Sequence, residues 1–490
     1  DRSHNNERMD KIFFLTLALL FLTNVNGKQV FVDWNSSFTN STCGSSTDDA
    51  CNTIQKGLNN AANGDVISLA AGTYTGSSNT QLTIPSGLSA FQISPVQIDT
   101  PVTIDFQHVQ STAPFLTIRN MSSLTLESIN YVNANSSTSI ITIYNSTLII
   151  TNCAFTNNKL SSALMADGSY VDITIADSLF QNNYGISGGA INIQRSGKLT
   201  MQNVQFRSNY AINGGAIYST SFVNITADNI VADSNMAGNQ GGFLHATDGR
   251  TTITSATLSK QFSDGSAGVV FLYGGRFTAN NVQFLNNTAE GFGGAIQNDA
   301  GYVQVSNSIF SYNQGLLGGA AIYAAGSAGG SLDHCSFSDN WGSKGGAFGV
   351  FTNSRLTVSW SQITDNSAEF GGAAYLYSDS FLTMVNCTVE ENFATAYGGG
   401  IYCSDSTLNL TCCTLTQNTA TLDDNTETGS SEDLFCSASP PYTKCNVVGD
   451  KPWAGQCQPG KSDNTNSSGN QGVIVTAIIL PIIGAVVCCG

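Results

Sequence analysis

The sequence predicts an all-β solenoid, a single-stranded parallel β-helix of about 14 coils with a short N-terminal capping helix and a Cys-rich C-terminal cap. Three observations predict it. An asparagine returns about every 26 residues, at Asn158, Asn183, Asn209, Asn235, Asn287, Asn313, Asn340, Asn366, Asn392 and Asn418, with Gln261 keeping register across the one double step. A large apolar residue stands three places before it: Phe155, Phe180, Phe206, Phe284, Phe310, Phe337, Ile363, Val389 and Leu415. A Gly-Gly-Ala and an aliphatic follow it, most clearly as Gly214-Gly215-Ala216-Ile217. A period of this size means stacked supersecondary units, because no single unit buries its own apolar face.

Within a unit the apolar residues alternate, as in Leu199 and Met201 or Ile191-Asn192-Ile193, and a period of two is a strand. A coil of about 26 residues has room for three strands of about five residues and three turns. Helical solenoids need about 33–34 residues of helix-forming composition. This chain is rich instead in Gly, Asn, Ser, Thr and Ile. Parity then sorts the faces. The large apolar position and the small one five places before the asparagine (Cys153, Ser178, Val204, Val282, Ser308, Cys335, Ser361, Cys387, Cys413) share a parity and point inward. The asparagine lies at the following turn, where its amide satisfies turn backbone and bonds to the asparagines above and below. The glycine pair supplies positive φ or room for a bend. These residues are scaffold, not ligands.

Along the chain, residues 1–8 are polar and patternless and read as translated upstream sequence, with Met9 as the start. Residues 9–27 read as a signal peptide: Asp10-Lys11, an apolar run from Ile12 to Leu22, then small residues near Gly27. Residues 28–64 form an N-terminal cap, in which 52–62 is a helix with Ile54, Leu58 and Ala61 on one face, lidding the lower end of the core. Residues 65–420 are the β-helix, degenerate to about 150 and carrying the signature from about 150 to 420. Residues 421–459 are a Cys-rich cap and 460–471 a flexible linker. Residues 472–490 carry no charge and read as a truncated transmembrane helix or, second, a glycolipid-anchor signal. Stacked at about 4.8 Å per coil, the rod is on the order of 65 Å long.

With 11% charged residues and a formal charge of −16, the chain is a poor partner for nucleic acid or an anionic membrane surface. Asn35, Asn40, Asn120, Asn135, Asn145, Asn224, Asn286, Asn386, Asn409 and Asn466 each precede X-Ser/Thr and are candidate N-glycosylation sites. Of 13 cysteines, Cys43 and Cys51 flank a short loop and are expected to pair outside the cell. Cys387 and Cys413 lie one coil apart, within disulfide reach if their side chains turn toward each other. Cys403, Cys412, Cys436, Cys445 and Cys457 crowd the end and staple a cap. No pair has zinc-site spacing, and no cofactor is expected.

The FxxN…GGA(I/L) units, as in Phe206–Asn209 with Gly214 to Ile217 and Phe284–Asn287 with Gly293 to Ile296, resemble the polymorphic outer-membrane protein repeats of autotransporters. The opening, from Cys51 and Ile54 through Gly64-Asp65-Val66-Ile67 to Gly72-Thr73-Tyr74, looks like the start of right-handed β-helices of the pectin-lyase-like superfamily. The resemblance covers about residues 30–420. It implies a right-handed helix and adhesion or surface display, in a superfamily that also holds lyases and hydrolases. No membrane β-barrel pattern accompanies it here.

The expected function is therefore non-catalytic adhesion or recognition at the cell surface, on a membrane-anchored rod whose partners are glycans or surface proteins. An extracellular polysaccharide lyase or hydrolase and a structural coat or wall protein are the alternatives. An enzyme on this fold needs carboxylates converging from neighbouring coils. Asp172 and Asp177 are followed one period later by Lys198 and Asn203. The best acidic column is Asp339, Asp365 and Glu391, read as solvated turn residues, with a divalent-cation site as the sharper alternative. A second outward column runs Asn192, Tyr218, His245, Phe271, Gln297, Tyr323, Gly349, Tyr375, Tyr402, not an uninterrupted aromatic run. Its Tyr218, Phe271, Tyr323, Tyr375 and Tyr402 are the candidate ligand surface, for sugar rings or a partner protein.

Overall fold

The structure, a computed structural model, describes residues 27–421 apart from 160, together with 433–437, 445–449 and 458–459. Among the described residues, parallel strands stack into a 27-stranded sheet A, a 14-stranded sheet B and a nine-stranded sheet C. A typical coil runs as follows. Strand Lys198–Gln202 of sheet A passes through left-handed Asn203 into a second sheet A strand, Gln205–Arg207. Left-handed Ser208 and buried Asn209 turn the chain into sheet C at Tyr210–Asn213, and the glycine pair turns it into sheet B at Ile217–Thr220. The next coil starts in register, Lys198 over Asn224. The expected three strands per coil are thus joined by a fourth, because one left-handed residue splits the sheet A strand.

The inward columns explain the stacking. Phe155, Phe180 and Phe206 lie ring on ring, with centroids 4.9 and 5.3 Å apart. Tyr131 continues the column below at 4.7 Å, and Phe284, Phe310 and Phe337 repeat it above at 4.4 and 4.8 Å. Burying each ring contributes about 1.5–3 kcal/mol. Where the column carries only Ala232 opposite Phe206, Phe243 replaces the usual alanine of Gly-Gly-Ala and packs edge-on against Phe206 at 5.6 Å. Volume lost on one side of the coil is restored from the other.

The asparagines form a buried ladder in two runs, below and above Gln261. Each Nδ2 donates to the next coil's Oδ1, as from Asn158 to Asn183 (2.8 Å), Asn183 to Asn209 (2.9 Å) and Asn313 to Asn340 (2.9 Å). The same Oδ1 also accepts the backbone N–H of the residue below, and the second Nδ2 proton goes to a carbonyl of the preceding coil, such as Phe155 O. All four hydrogen-bonding positions of the amide are filled, which is why it tolerates complete burial. Gln261 accepts from Asn235 but donates to Ser259 O, so it holds position without passing the chain on. At the top, Asn418 donates to Asp433 Oδ1 (2.8 Å), whose carboxyl is pushed up by burial, an effect the Asn418 hydrogen bonds partly offset.

Two glycines are obligatory in the turn that follows. Gly214 sits at φ +59°, and a β-carbon there would run into the carbonyl of Ile217. A β-carbon on Gly215 would strike Gly242 O of the coil above.

The lower end is lidded by helix Ile54–Asn60, capped by the Thr53 side chain and burying Ile54 and Leu58. Cys43 and Cys51 form a disulfide beside it. A helical turn at Ser77–Thr80 was not expected, having no apolar period; Asn79 Oδ1 there accepts from Ile54 N (2.7 Å) and fixes the lid. At the upper end, Leu434–Ser437, Asn446–Gly449 and Gln458–Pro459 pair onto the sheets as further rungs, and Cys403 is bonded to Cys445. The cysteine-rich segment thus prolongs the solenoid where it is described. Residues 1–8, almost all of the leader, the linker 460–471, the apolar segment 472–490 and Asn466 lie outside the described residues. Among the described residues no helix is long and apolar enough to cross a membrane.

Candidate functional site

In a solenoid whose inward positions are spent on stacking, function resides on outward columns. On sheet B, Tyr218, His245 and Phe271 stack in register at 4.9 Å each. Higher up, Tyr375 and Tyr402 stack at 4.9 Å and Tyr402 reaches Phe435 at 5.3 Å. The gap at Gly349 is closed by Phe351, whose ring lies where a Gly349 side chain would project and sits 5.0 Å from Tyr323 and 5.3 Å from Tyr375. Phe292 continues the row below Tyr323 at 4.4 Å. The rings therefore run without a break from Phe292 to Phe435, where the sequence read as interrupted; the two filling rings come from outside the column.

This self-stacking occupies the ring faces. Phe271 and Tyr375 are buried, and Tyr218, Tyr323 and Tyr402 are half-buried. A sugar stacked on an aromatic needs a free face, and here the faces meet other rings. Burial has electrostatic consequences. His245 is held down to about 4 by desolvation, and no partner reaches its Nδ1. Tyr323 is pushed up to about 12 by burial and by the nearby Asp299, whose own carboxyl is raised by burial.

Asp339, Asp365 and Glu391 are exposed and left-handed, with φ of 56°, 57° and 56°. The same corner is left-handed at Asn182, Ser208, Lys260 and Tyr312, so a turn explains the position whatever its side chain. Among the described residues no group of three or more His, Cys, Asp or Glu is placed to hold a metal ion. One polar recess of about 390 Å³ opens beside Arg119, Tyr144, Asp167 and Arg195. Arg119 lies 3.8 Å over the Tyr144 ring and Arg195 Nε is 2.8 Å from Asp167. Asn120 and Asn145, both glycan acceptors by sequence, stand in its wall.

The remaining sequons are also outward. Asn35, Asn40, Asn224 and Asn286 are exposed, and Asn135, Asn386 and Asn409 half-buried. Asn224, Asn286, Asn386 and Asn409 sit on sheet A or its corners, whereas Asn135 lies at the foot of the sheet C column, below Lys159 and Tyr184.

Sheet C holds what sequence reasoning missed. The residue after each ladder asparagine points outward and is often large and apolar: Tyr184, Tyr210, Met236, Phe262, Trp341 and Phe393. Two places on, Ile186, Ile212 and Leu316 point the same way, with Ile186 60% exposed and Ile212 48%. Tyr184 and Tyr210 stack at 4.4 Å, and Met236 lies in register between Tyr210 and Phe262. Exposed Asp264, Glu290, Lys344 and Glu369 punctuate the strip. The signal was a column one residue past the asparagine, visible once the period is known.

Comparison with known proteins bears on the fold. The family model described as right handed beta helix region matches residues 241–431. A rhamnogalacturonan lyase of known structure aligns over 91% of this chain and 90% of its own, at 11% identity and a TM-score of 0.18, too loose a likeness to argue from. No curated protein matches by sequence. The architecture is a right-handed parallel β-helix.

Proposed function

We propose that the chain is a non-catalytic extracellular recognition rod, tethered to the cell surface by its C-terminal segment and docking partner proteins along sheet C. The observation that carries this reading is the apolar strip. Nine strands at about 4.8 Å spacing make it ~40 Å long, and at three to four residues wide the face covers on the order of 400–500 Å², its polar positions included. The largest apolar patch on a typical monomer is about 300–600 Å² and is often a binding surface. Branched aliphatic groups such as Ile186 and Ile212 offer no hydrogen bonds to a sugar, which favours a protein partner over a glycan. The resemblance to polymorphic outer-membrane protein repeats, the signal-like leader and the many outward sequons fit surface display.

The test is binding of the secreted rod to cells and to a glycan array. Cell binding lost in the double variant Ile186→Ser, Ile212→Ser, and unchanged by Tyr218→Ala, supports the reading. Binding indifferent to the sheet C variant contradicts it. Unsaturated or reducing ends released from a polysaccharide panel would establish the enzyme alternative.

A further inference from the structure

The small inward column contains four cysteines, and only two of them stand on adjoining coils. Cys153 has Ser178 above it, with Ser178 Oγ accepting from Cys153 N (3.1 Å). Cys335 likewise has Ser361 above, at 3.0 Å. Cys387 and Cys413 have each other. Thr388 pairs with Thr414 in register and Thr414 N donates to Cys387 O (2.9 Å), so the two cysteines lie side by side on successive rungs. Rungs about 4.8 Å apart are within the disulfide range of Cα separations. Cys387 is buried and Cys413 half-buried, each thiol donating to the carbonyl two residues back, Val385 O at 3.4 Å and Thr411 O at 3.3 Å.

We propose that Cys387 and Cys413 are the site of a further disulfide, which ties together the last two coils that carry the asparagine signature. The described residues already hold two disulfides, Cys43–Cys51 and Cys403–Cys445, so the fold is built for an oxidising compartment. The oxidant is a small-molecule or protein disulfide. The Cys413 thiolate attacks one of its sulfurs, giving a mixed disulfide and expelling one thiolate. Deprotonated Cys387 then attacks Cys413 Sγ and expels the second. The pair gives up two protons and two electrons, and the oxidant becomes two thiols. The order follows from the environment: contact with the Cys387 thiol holds Cys413 down to about 7, whereas Cys387 is pushed up by Cys413 and by burial. A solenoid frays from its ends, and this bond would close the upper end on sheet A as Cys403–Cys445 closes it on sheet B.

The experiment is disulfide mapping of the full chain made in a secreting host, denatured in N-ethylmaleimide without reductant and digested for mass spectrometry. A linked Cys387–Cys413 peptide pair is expected, with Cys153 and Cys335 alkylated. Alkylation of both Cys387 and Cys413, or linkage of either to another cysteine, overturns the proposal. A second measurement pulses the reduced parent chain briefly with N-ethylmaleimide before denaturation. Alkylation of Cys413 at least ten times faster than of Cys387 is expected; equal rates would refute the assigned order of attack.

Discussion

Replacing Asn313 by alanine tests the claim that the ladder holds the coils together. Its amide takes part in four hydrogen bonds. Nδ2 donates to Asn340 Oδ1 and to Phe284 O, both at 2.9 Å, and Oδ1 accepts Asn287 N (3.2 Å) and Asn287 Nδ2 (2.9 Å). In Asn313→Ala, Asn340 Oδ1 keeps the backbone N–H of residue 313 at 3.0 Å. The other three partners (Phe284 O and two N–H groups of Asn287) are orphaned inside a closed core. At about 1–3 kcal/mol for each unsatisfied group, and allowing for some relaxation, the loss is about 3–6 kcal/mol. The neighbouring outward substitution Gln314→Ala should stay within about 0.5 kcal/mol. Guanidinium unfolding followed by circular dichroism gives the difference from the midpoints at constant slope. Hydrogen exchange should show lost protection centred on the coils of Asn287, Asn313 and Asn340. If Asn313→Ala unfolds within about 1 kcal/mol of the parent, the amide ladder does not carry the stability assigned to it here.

Two further substitutions probe other buried polar atoms. Tyr131 is fully buried with no partner for its hydroxyl, so Tyr131→Phe, which keeps the stack on Phe155, should stabilise the protein by about 1–3 kcal/mol; a loss in thermal unfolding would show that an unseen partner exists. His245 titrates near 4 when folded against about 6.5 unfolded, so its contribution to stability is full above pH ~6.5 and lost as pH falls through about 4. Between those values the unfolded chain binds the extra proton and stability rises with pH. His245→Phe continues the row between Tyr218 and Phe271 and should remove up to about 2–3 kcal/mol of that dependence. Unchanged melting curves across pH 4–7 would refute it.

The architecture was legible because its cause is periodic. A side chain that must meet its own counterpart one coil on has to recur, and the buried asparagines and phenylalanines therefore announce themselves. What was not legible has the opposite cause. Phe351 fills the space at Gly349 from two positions away, and Phe243 fills the space beside Ala232 from the far side of the coil. Such compensations preserve volume rather than identity, so no fixed offset reveals them. The turn at Ser77–Thr80 escaped because four residues have no period to show. The Tyr184–Phe393 column escaped for another reason. An outward position is under no obligation to repeat, and this one is disguised by the Thr288, Gln314 and Ser367 that interrupt it.

Parity also bears on where the proposed recognition would take place. Inward columns hold each coil on the next, and a ligand that took their groups would unstack the rod. The outward column of sheet B has little more to offer, since its rings satisfy one another and leave mainly edges to solvent. Sheet A presents polar Thr, Asn, Ser and Gln positions and carries the sequons at Asn224 and Asn409, so an attached glycan would stand over it. Above Asn135 at its foot, sheet C combines exposed apolar side chains with strands that carry no acceptor asparagine among the described residues. Its charged positions include Asp264, Glu290 and Glu369 but also exposed Lys344 on strand Trp341–Lys344, so what opposes a second copy of the chain is the net charge of −16 on each molecule. The proposed partner would therefore carry apolar groups for the strip and an excess of lysine or arginine for the charge of the molecule as a whole.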